Sequence, residues 1–378
     1  MYSLRDYGSM IHDSVRMNAY EEALRRSVTP GSVVVDLGCG LGLMAALAVR
    51  LGAARVFAIE ADDIIQVARD CAVANNCTDR IEFIHGLSSD VTLPSPADVI
   101  VSDLRGILPM LGLAIPSLID ARQRLLRPNG VLIPQIDTLW VAAAEAPDLY
   151  ANELKGLTAN RYSFDLGPAV TAATHSIWRA DLKSGQLLTE PRTWATLDYR
   201  SRNSPHCEGN TTLHAERNGL GHGLCLWFST QLYENVGFSC APGAPTRIYG
   251  QILLPWPQPM PIETGDRVEV SISAHLVSGD YLWRWNTTLW RGETMLTELT
   301  QSSLPSILIS QERLHKSASA YRPELNFEGQ IQRFILEQMN GAHSLAEIAE
   351  ELTRRHPDRF ATLQQALDRV AKISREFS

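Results

Sequence analysis

Short apolar runs alternate with helical stretches over the first 135 residues. Val33, Val34 and Val35 lead into Asp36, and comparable runs recur in ARVFAIEAD (54–62), IEFIHG (81–86) and ADVIVSDL (97–104). Runs this short and rich in β-branched residues predict buried parallel strands. LMAALAVRLG, which follows the first run, predicts a helix, and RLLRPNGVLIP (124–134) predicts a Pro-Asn-Gly turn into a fifth strand. Strands that alternate with helices predict an α/β parallel sheet with right-handed crossovers.

From 136 to 305 the period shortens to two, with Gly, Pro and Asn between segments such as TWATLDYRS, GLCLWFSTQLY, TRIYGQILLPW, DRVEVSISAHLV and YLWRWNTTLW. Consecutive strands without helices predict an antiparallel sandwich or barrel. PWPQPMP (255–261) predicts a loop that breaks two of these strands. From about 327 the spacing is helical. Ile331, Phe334, Ile335 and Met339 stop at Asn340-Gly341, Ser344 and Glu347 form a capping-box pattern, and Leu363, Leu367, Val370, Ile373 and Phe377 line a last helix. The three textures predict domains at 1–135, 136–305 and 320–378.

Composition narrows the class. Apolar content of 45% with 20% charged residues describes a globular chain with a sizeable core, and 378 residues suit two or three domains. A net charge of −8 argues against nucleic acid as a general partner. No apolar stretch reaches the ~18–20 residues that span a bilayer, and MYSLRDYGSM carries no secretory signal. The expectation is a cytoplasmic protein with no membrane partner. Six cysteines without a CxxC pair predict free thiols, and His206, Cys207, His214, His222 and Cys225 lack metal-site spacing, so no metal is expected.

VVVDLGCGLG (33–42) carries the chemistry. Gly38, Gly40 and Gly42 follow Asp36 in a GxGxG spacing, and Leu43 stands where a dinucleotide fingerprint would need its last glycine. Glu60 ends the second run 22 residues beyond Gly38, placed to accept hydrogen bonds from ribose hydroxyls. This loop resembles motif I of the class I S-adenosylmethionine (SAM) methyltransferases. The resemblance implies SAM as cofactor, held by Asp36, Gly38, Gly40, Gly42, Glu60 and Ala61, by Gly86, Ser88 and Ser89 at the adenine, and by Ser102 beside the fourth strand's end.

The SAM region followed by a barrel resembles the protein arginine methyltransferase family over roughly residues 2–300. MIHDSVRMNAY (10–20) is similar to the family's MLxDxxRxxxY helix, and RYSFDLG (161–167), GLCLWF (223–228) and PIETGDRV (261–268) to its barrel segments. The fold this implies is a Rossmann-like SAM methyltransferase core, then an antiparallel β-barrel with a dimerisation arm at 168–190, then a helical module. Arg16 would pair with the cofactor's carboxylate, and Asp13 would take the place of the family's aspartate that faces a histidine. The partners implied are a protein or peptide substrate and a second copy of the chain.

Departures from the family pattern shape the functional reading. The loop SDLRGILPMLG holds Asp103 at the first glutamate position of the guanidinium clamp and Gly112 at the second. Arg105 adds a positive charge there. TRIYGQ (246–251) stands where the family has Thr-His-Trp, without the histidine and with Tyr249 in the tryptophan's place. Asp103 is the candidate proton acceptor and Arg105 a candidate for orienting an anionic substrate. Three functions follow: an arginine N-methyltransferase, a methyltransferase for another nucleophile (carboxylate, hydroxyl or other amine), and a SAM-binding scaffold. The C-terminal MNGAHSLAEIAEEL…HPDRF pattern resembles small winged-helix modules similar to the peptide chaperone of quinone-cofactor biosynthesis.

Overall fold

Five parallel strands organise the first part of the chain in the computed structural model, which describes residues 2–159, 161–245 and 248–378. Helices α1 (Leu4–His12) and α2 (Ser14–Ser27) precede strand β1 (Val33–Leu37). Then follow α3 (Leu43–Arg50), β2 (Arg55–Glu60), α4 (Ile65–Ala74), β3 (Ile81–His85), β4 (Ala97–Ser102), α5 (Ala114–Arg124) and β5 (Leu126–Ile133). The sheet order is β3-β2-β1-β4-β5, so the chain reverses direction across the sheet between β1 and β4. Val34 and Val35 are fully buried at its centre, as an all-parallel sheet covered on both faces requires.

One detail differs from the sequence expectation. Pro128-Asn129-Gly130 is no turn before β5 but part of the strand. Asn129 adopts φ +61°, and the register against β4 shifts between Ala97 and Val99, so the extra residues are absorbed as a bulge.

The next region is built from β6 (Ile136–Ala144), α6 (Pro147–Thr158), α7 (Gly167–Thr174), β7 (Trp178–Ala180), β8 (Arg192–Asp198), β9 (Cys207–His214), β10 (Gly219–Tyr233), β11 (Val236–Ser239), β12 (Gln251–Ile262), β13 (Arg267–Val277), β14 (Asp280–Arg291) and β15 (Thr294–Ser302). They form two antiparallel sheets, β7-β12-β10-β6-β8 with β11 beside β10, and β15-β14-β13-β9. The sheets share a core that includes Trp256, Trp283 and Trp285, making a barrel-like domain. Across the core Trp256 Nε1 donates to Thr287 Oγ1 at 3.3 Å.

PWPQPMP does not interrupt a strand here. It lies wholly within β12, paired to β10 with a register shift opposite Gly221 and Gly223. Its four prolines occupy alternate positions, so their missing N–H groups fall along one edge of the strand. The outer neighbour β7 pairs only Gln251–Leu253, which leaves that edge without a ladder to break. The expected arm at 168–190 is also divided. Its first half belongs to α7, which packs with α6 in a helical excursion, whereas Trp178–Ala180 is tied to β12.

The chain separates into two compact units, Met1–Ile307 and Leu308–Ser378. The parallel and antiparallel regions, expected as separate domains, share one unit because a single apolar core runs through both. The second unit holds α8 (Gln311–Lys316), α9 (Phe327–Gln338), α10 (Leu345–Arg355) and α11 (Leu363–Phe377). Ile331, Phe334, Ile335, Ile348, Leu352, Val370 and Ile373 form its own core. Among the described residues it contains no strand, so the winged-helix resemblance extends to the helices alone. No helix of the described residues is long and apolar enough to cross a membrane.

Candidate active site

The strand order sets the carboxyl ends of β1 and β4 side by side, and a cavity of about 440 Å³ opens there. Open α/β sheets bind ligands at such a switch point. Asp36, Gly38 and Gly40 come from β1 and its loop, Glu60 and Asp62 from the end of β2, and Asp103 and Leu104 from the loop after β4. Tyr7, Met10 and Arg16 close it from α1 and α2, and Arg179, Ile248 and Tyr249 from the barrel-like region.

Close packing explains the glycines. Gly38 and Gly40 take φ of +75° and +52°, a region that disfavours any side chain. A Cβ on Gly38 would run into the Leu104 side chain, and one on Gly40 would lie 2.6 Å from the ring of Tyr7. Asp36 is buried, and one oxygen accepts the Ala45 N–H at 2.9 Å, fastening the strand end to α3. Burial raises its pKa to about 7, against the Ala45 bond and with help from Glu60. Glu60 accepts the Gly40 N–H at 2.9 Å with one oxygen and the Asp62 N–H at 3.0 Å with the other. A carboxylate has about four lone-pair sites, so each oxygen keeps one for a ribose hydroxyl. The glycine cradle and this acidic strand end fit SAM, which Asp36, Gly38, Gly40, Glu60 and Arg16 would hold.

At the far end Asp103 is tightly held. Its Oδ2 accepts from Arg16 Nε at 2.6 Å and from the Tyr249 hydroxyl at 2.6 Å, and its Oδ1 accepts from Arg105 Nη2 at 3.1 Å. Burial pushes the carboxyl pKa up, but the two guanidiniums and the Tyr249 hydroxyl outweigh it and hold it at about 2. Burial and Asp103 together raise the Tyr249 pKa well above its usual range, so that hydroxyl stays protonated.

Arg105 does not reach the cavity, which corrects the expectation that it orients a substrate. Its guanidinium is sealed inside, donating through Nη1 to Asp137 Oδ1 at 2.9 Å and through Nη2 to the Tyr20 hydroxyl at 2.6 Å. It lies 5.1 Å from the Phe228 ring centroid. Asp137 also accepts from the Tyr199 hydroxyl at 2.8 Å. A buried guanidinium is tolerable only with such pairing.

The remaining predicted residues divide. Asp13 is buried where α1 ends, accepts the Arg16 N–H at 3.2 Å as the cap of α2, and accepts the Ile248 N–H at 3.4 Å. It therefore faces the TRIYGQ loop, through backbone; Thr246 and Arg247 of that loop lie outside the described residues. Ser102 is buried and donates to the Leu37 carbonyl at 3.0 Å, a bond between strands that takes it out of the cavity wall. Gly42 packs its open face on Ala68 and Phe83 instead. Ala61, Gly86, Ser88 and Ser89 lie beyond the ends of β2 and β3, outside the cavity lining, and Gly112 is exposed and likewise outside it. Sequence reasoning missed Tyr7, Arg179 and Asp137. Only Asp137 left a signal, as the lone acid in the apolar strand IDTLWVAAA.

A family model described as ribosomal protein L11 methyltransferase matches residues 11–134, and one described as the arginine methyltransferase oligomerization subdomain matches 135–286. The chain has an arginine-methyltransferase-like class I fold. A probable histone-arginine methyltransferase 1.4 of Arabidopsis thaliana is 30% identical over 295 residues, covering 72% of this chain and 55% of that protein. A probable protein arginine N-methyltransferase 6.1 of Oryza sativa subsp. indica is 35% identical, covering 59% and 61%. The first curated relatives are matched over 53% and 42% of their own length, about half. The solved structure of Arabidopsis thaliana protein arginine methyltransferase 10 superposes with a TM-score of 0.71 at 22% identity, covering 80% of this chain and 98% of that one.

Proposed function

We propose that this arginine-methyltransferase-like protein transfers a methyl group from SAM to a side chain of a protein or peptide. The observation that carries the reading is the single cavity that joins the Asp36–Gly38–Gly40–Glu60 cradle to Asp103. SAM would supply a methyl group on a sulfonium leaving group. The protein's part is to align acceptor and methyl and to exclude water, which Tyr7, Met10 and Leu104 serve as walls. Titration calorimetry with S-adenosylhomocysteine tests the cradle. Glu60→Ala should weaken binding by about 1–3 kcal/mol through a lost charged hydrogen bond, and an unchanged dissociation constant would refute the assignment.

A second reading, a nucleophile other than guanidinium, is favoured by the contacts of Asp103 and by Gly112. Retention of the cradle speaks against a pure scaffold. A second copy of the chain is a further proposed partner. Tyr162 and Phe164, between α6 and α7, are 62% and 70% exposed and stack on each other. Phe164→Glu should shift a dimer to monomer in sedimentation velocity; a monomeric wild type would remove this partner.

A further inference from the structure

We propose that the acceptor is a carboxylate, carried by an acidic peptide side chain. This rests on the methyltransferase reading above and narrows its substrate.

An ammonium or guanidinium must shed a proton before its nitrogen can attack, and an alcohol as it attacks; in a cavity that excludes water a base in the site takes that proton. The acids that line the cavity among the described residues are Asp36, Glu60, Asp62 and Asp103. The first three belong to the cofactor cradle. Asp103 receives Arg16, Tyr249 and Arg105, which leave about one of its lone-pair sites and make it a weak base, and the Tyr249 hydroxyl in turn accepts from Arg16 Nε at 3.2 Å. Recognition of a planar cation by a pair of carboxylates also needs a second acid. Gly112, where the resemblance places it, has no side chain and lies outside the cavity.

One cation points the same way. Arg16 is committed to Asp103 and the cofactor, whereas Arg179 is exposed and lines the same cavity. Arg179 Nη2 donates to the Ile248 carbonyl at 3.0 Å, and the guanidinium has no ion-pair partner within 4.0 Å among the described residues. Asp6 is near enough to feel its charge, but that carboxylate is bonded to Ser3. Leu104, Ile107 and Met10 supply apolar surface for the short methylene arm of Asp or Glu. A carboxylate has no proton to lose. Its oxygen attacks the sulfonium methyl carbon in line, the C–O bond forms as the C–S bond breaks, and the electron pair stays on sulfur. The products are a methyl ester and a neutral thioether.

The test uses the full chain with methyl-tritiated SAM and three defined probes: a pool of Glu/Asp-rich peptides, a pool of Arg/Gly-rich peptides, and small carboxylic acids (glutarate and benzoate). Alkali releases methanol from esters but leaves N-methyl groups intact. Base-labile label on the acidic peptides supports the proposal; base-labile label on the small acids alone overturns the peptide carrier. Base-stable label on the Arg/Gly pool overturns the proposal while upholding the methyltransferase. S-adenosylhomocysteine binding without label on either acidic probe also overturns it. Absence of S-adenosylhomocysteine binding fells the underlying reading instead. Independently of turnover, Arg179→Glu and Arg179→Gln should each weaken calorimetric binding of the acidic peptides, the first by about tenfold, with S-adenosylhomocysteine affinity unchanged. Equal affinity in both variants would overturn the role of Arg179.

Discussion

Arg105 lies between Asp103 and Asp137 with 2% of its surface exposed. Removing one partner of such a group leaves a charge buried without compensation, which costs about 3–5 kcal/mol. Asp137→Asn should therefore lower unfolding stability by that order in urea titration, and Arg105→Met combined with Asp137→Leu should recover part of it. Two carboxylates respond oppositely to pH. The folded pKa of Asp36 is about 7 against an ordinary 3.8, so the folded state holds its proton more tightly and stability falls as pH rises from about 4 to 7. Asp103, at about 2, contributes stability that is present above 3.8 and lost as pH falls towards 2. Asp36→Asn should flatten the limb between pH 4 and 7 and keep the acid limb. Urea midpoints with the same slope as wild type would contradict this. The placing of Asp36, Gly38, Gly40 and Glu60 around one cavity was legible in the sequence because their spacing within one βαβ unit fixes their geometry, whereas Gly42 and Gly86 fall outside it. The setting of Asp103 was not: its partners Arg16 and Tyr249 lie 87 and 146 positions away, and no local pattern joins them.

Elements were legible where burial imposes a period, as in β1, β2 and the apolar stripes of α9 and α11. They were misread where composition and edge geometry conflict. PWPQPMP has the composition of a breaker, yet prolines at alternate positions are compatible with a strand whose outer edge needs no ladder. The capping box of α10 is the opposite case. Ser344 Oγ accepts the Glu347 N–H at 3.3 Å, and Glu347 accepts the Ser344 N–H at 2.7 Å, as the Ser-x-x-Glu pattern predicts. Such caps are local, so their effects should stay within the unit that contains them.

Cooperativity across the chain follows from where the cores are continuous. In residues 1–307, Tyr20 of α2, Arg105 after β4, Asp137 of β6 and Thr230 of β10 form one hydrogen-bonded group inside an uninterrupted apolar core. Residues 308–378 close a separate core over α9, α10 and α11. A core held in common unfolds as a unit, and separate cores unfold separately unless an interface binds them. Scanning calorimetry should then resolve two transitions. Asp137→Asn should lower only the one that belongs to 1–307, and S-adenosylhomocysteine should raise that same transition, because a ligand stabilises only the unit that binds it. Ser344→Ala should lower only the other. A single transition that moves with all three perturbations would show that residues 308–378 are energetically coupled to residues 1–307, and that the Asp36–Glu60 cradle and the C-terminal helices share one folding equilibrium.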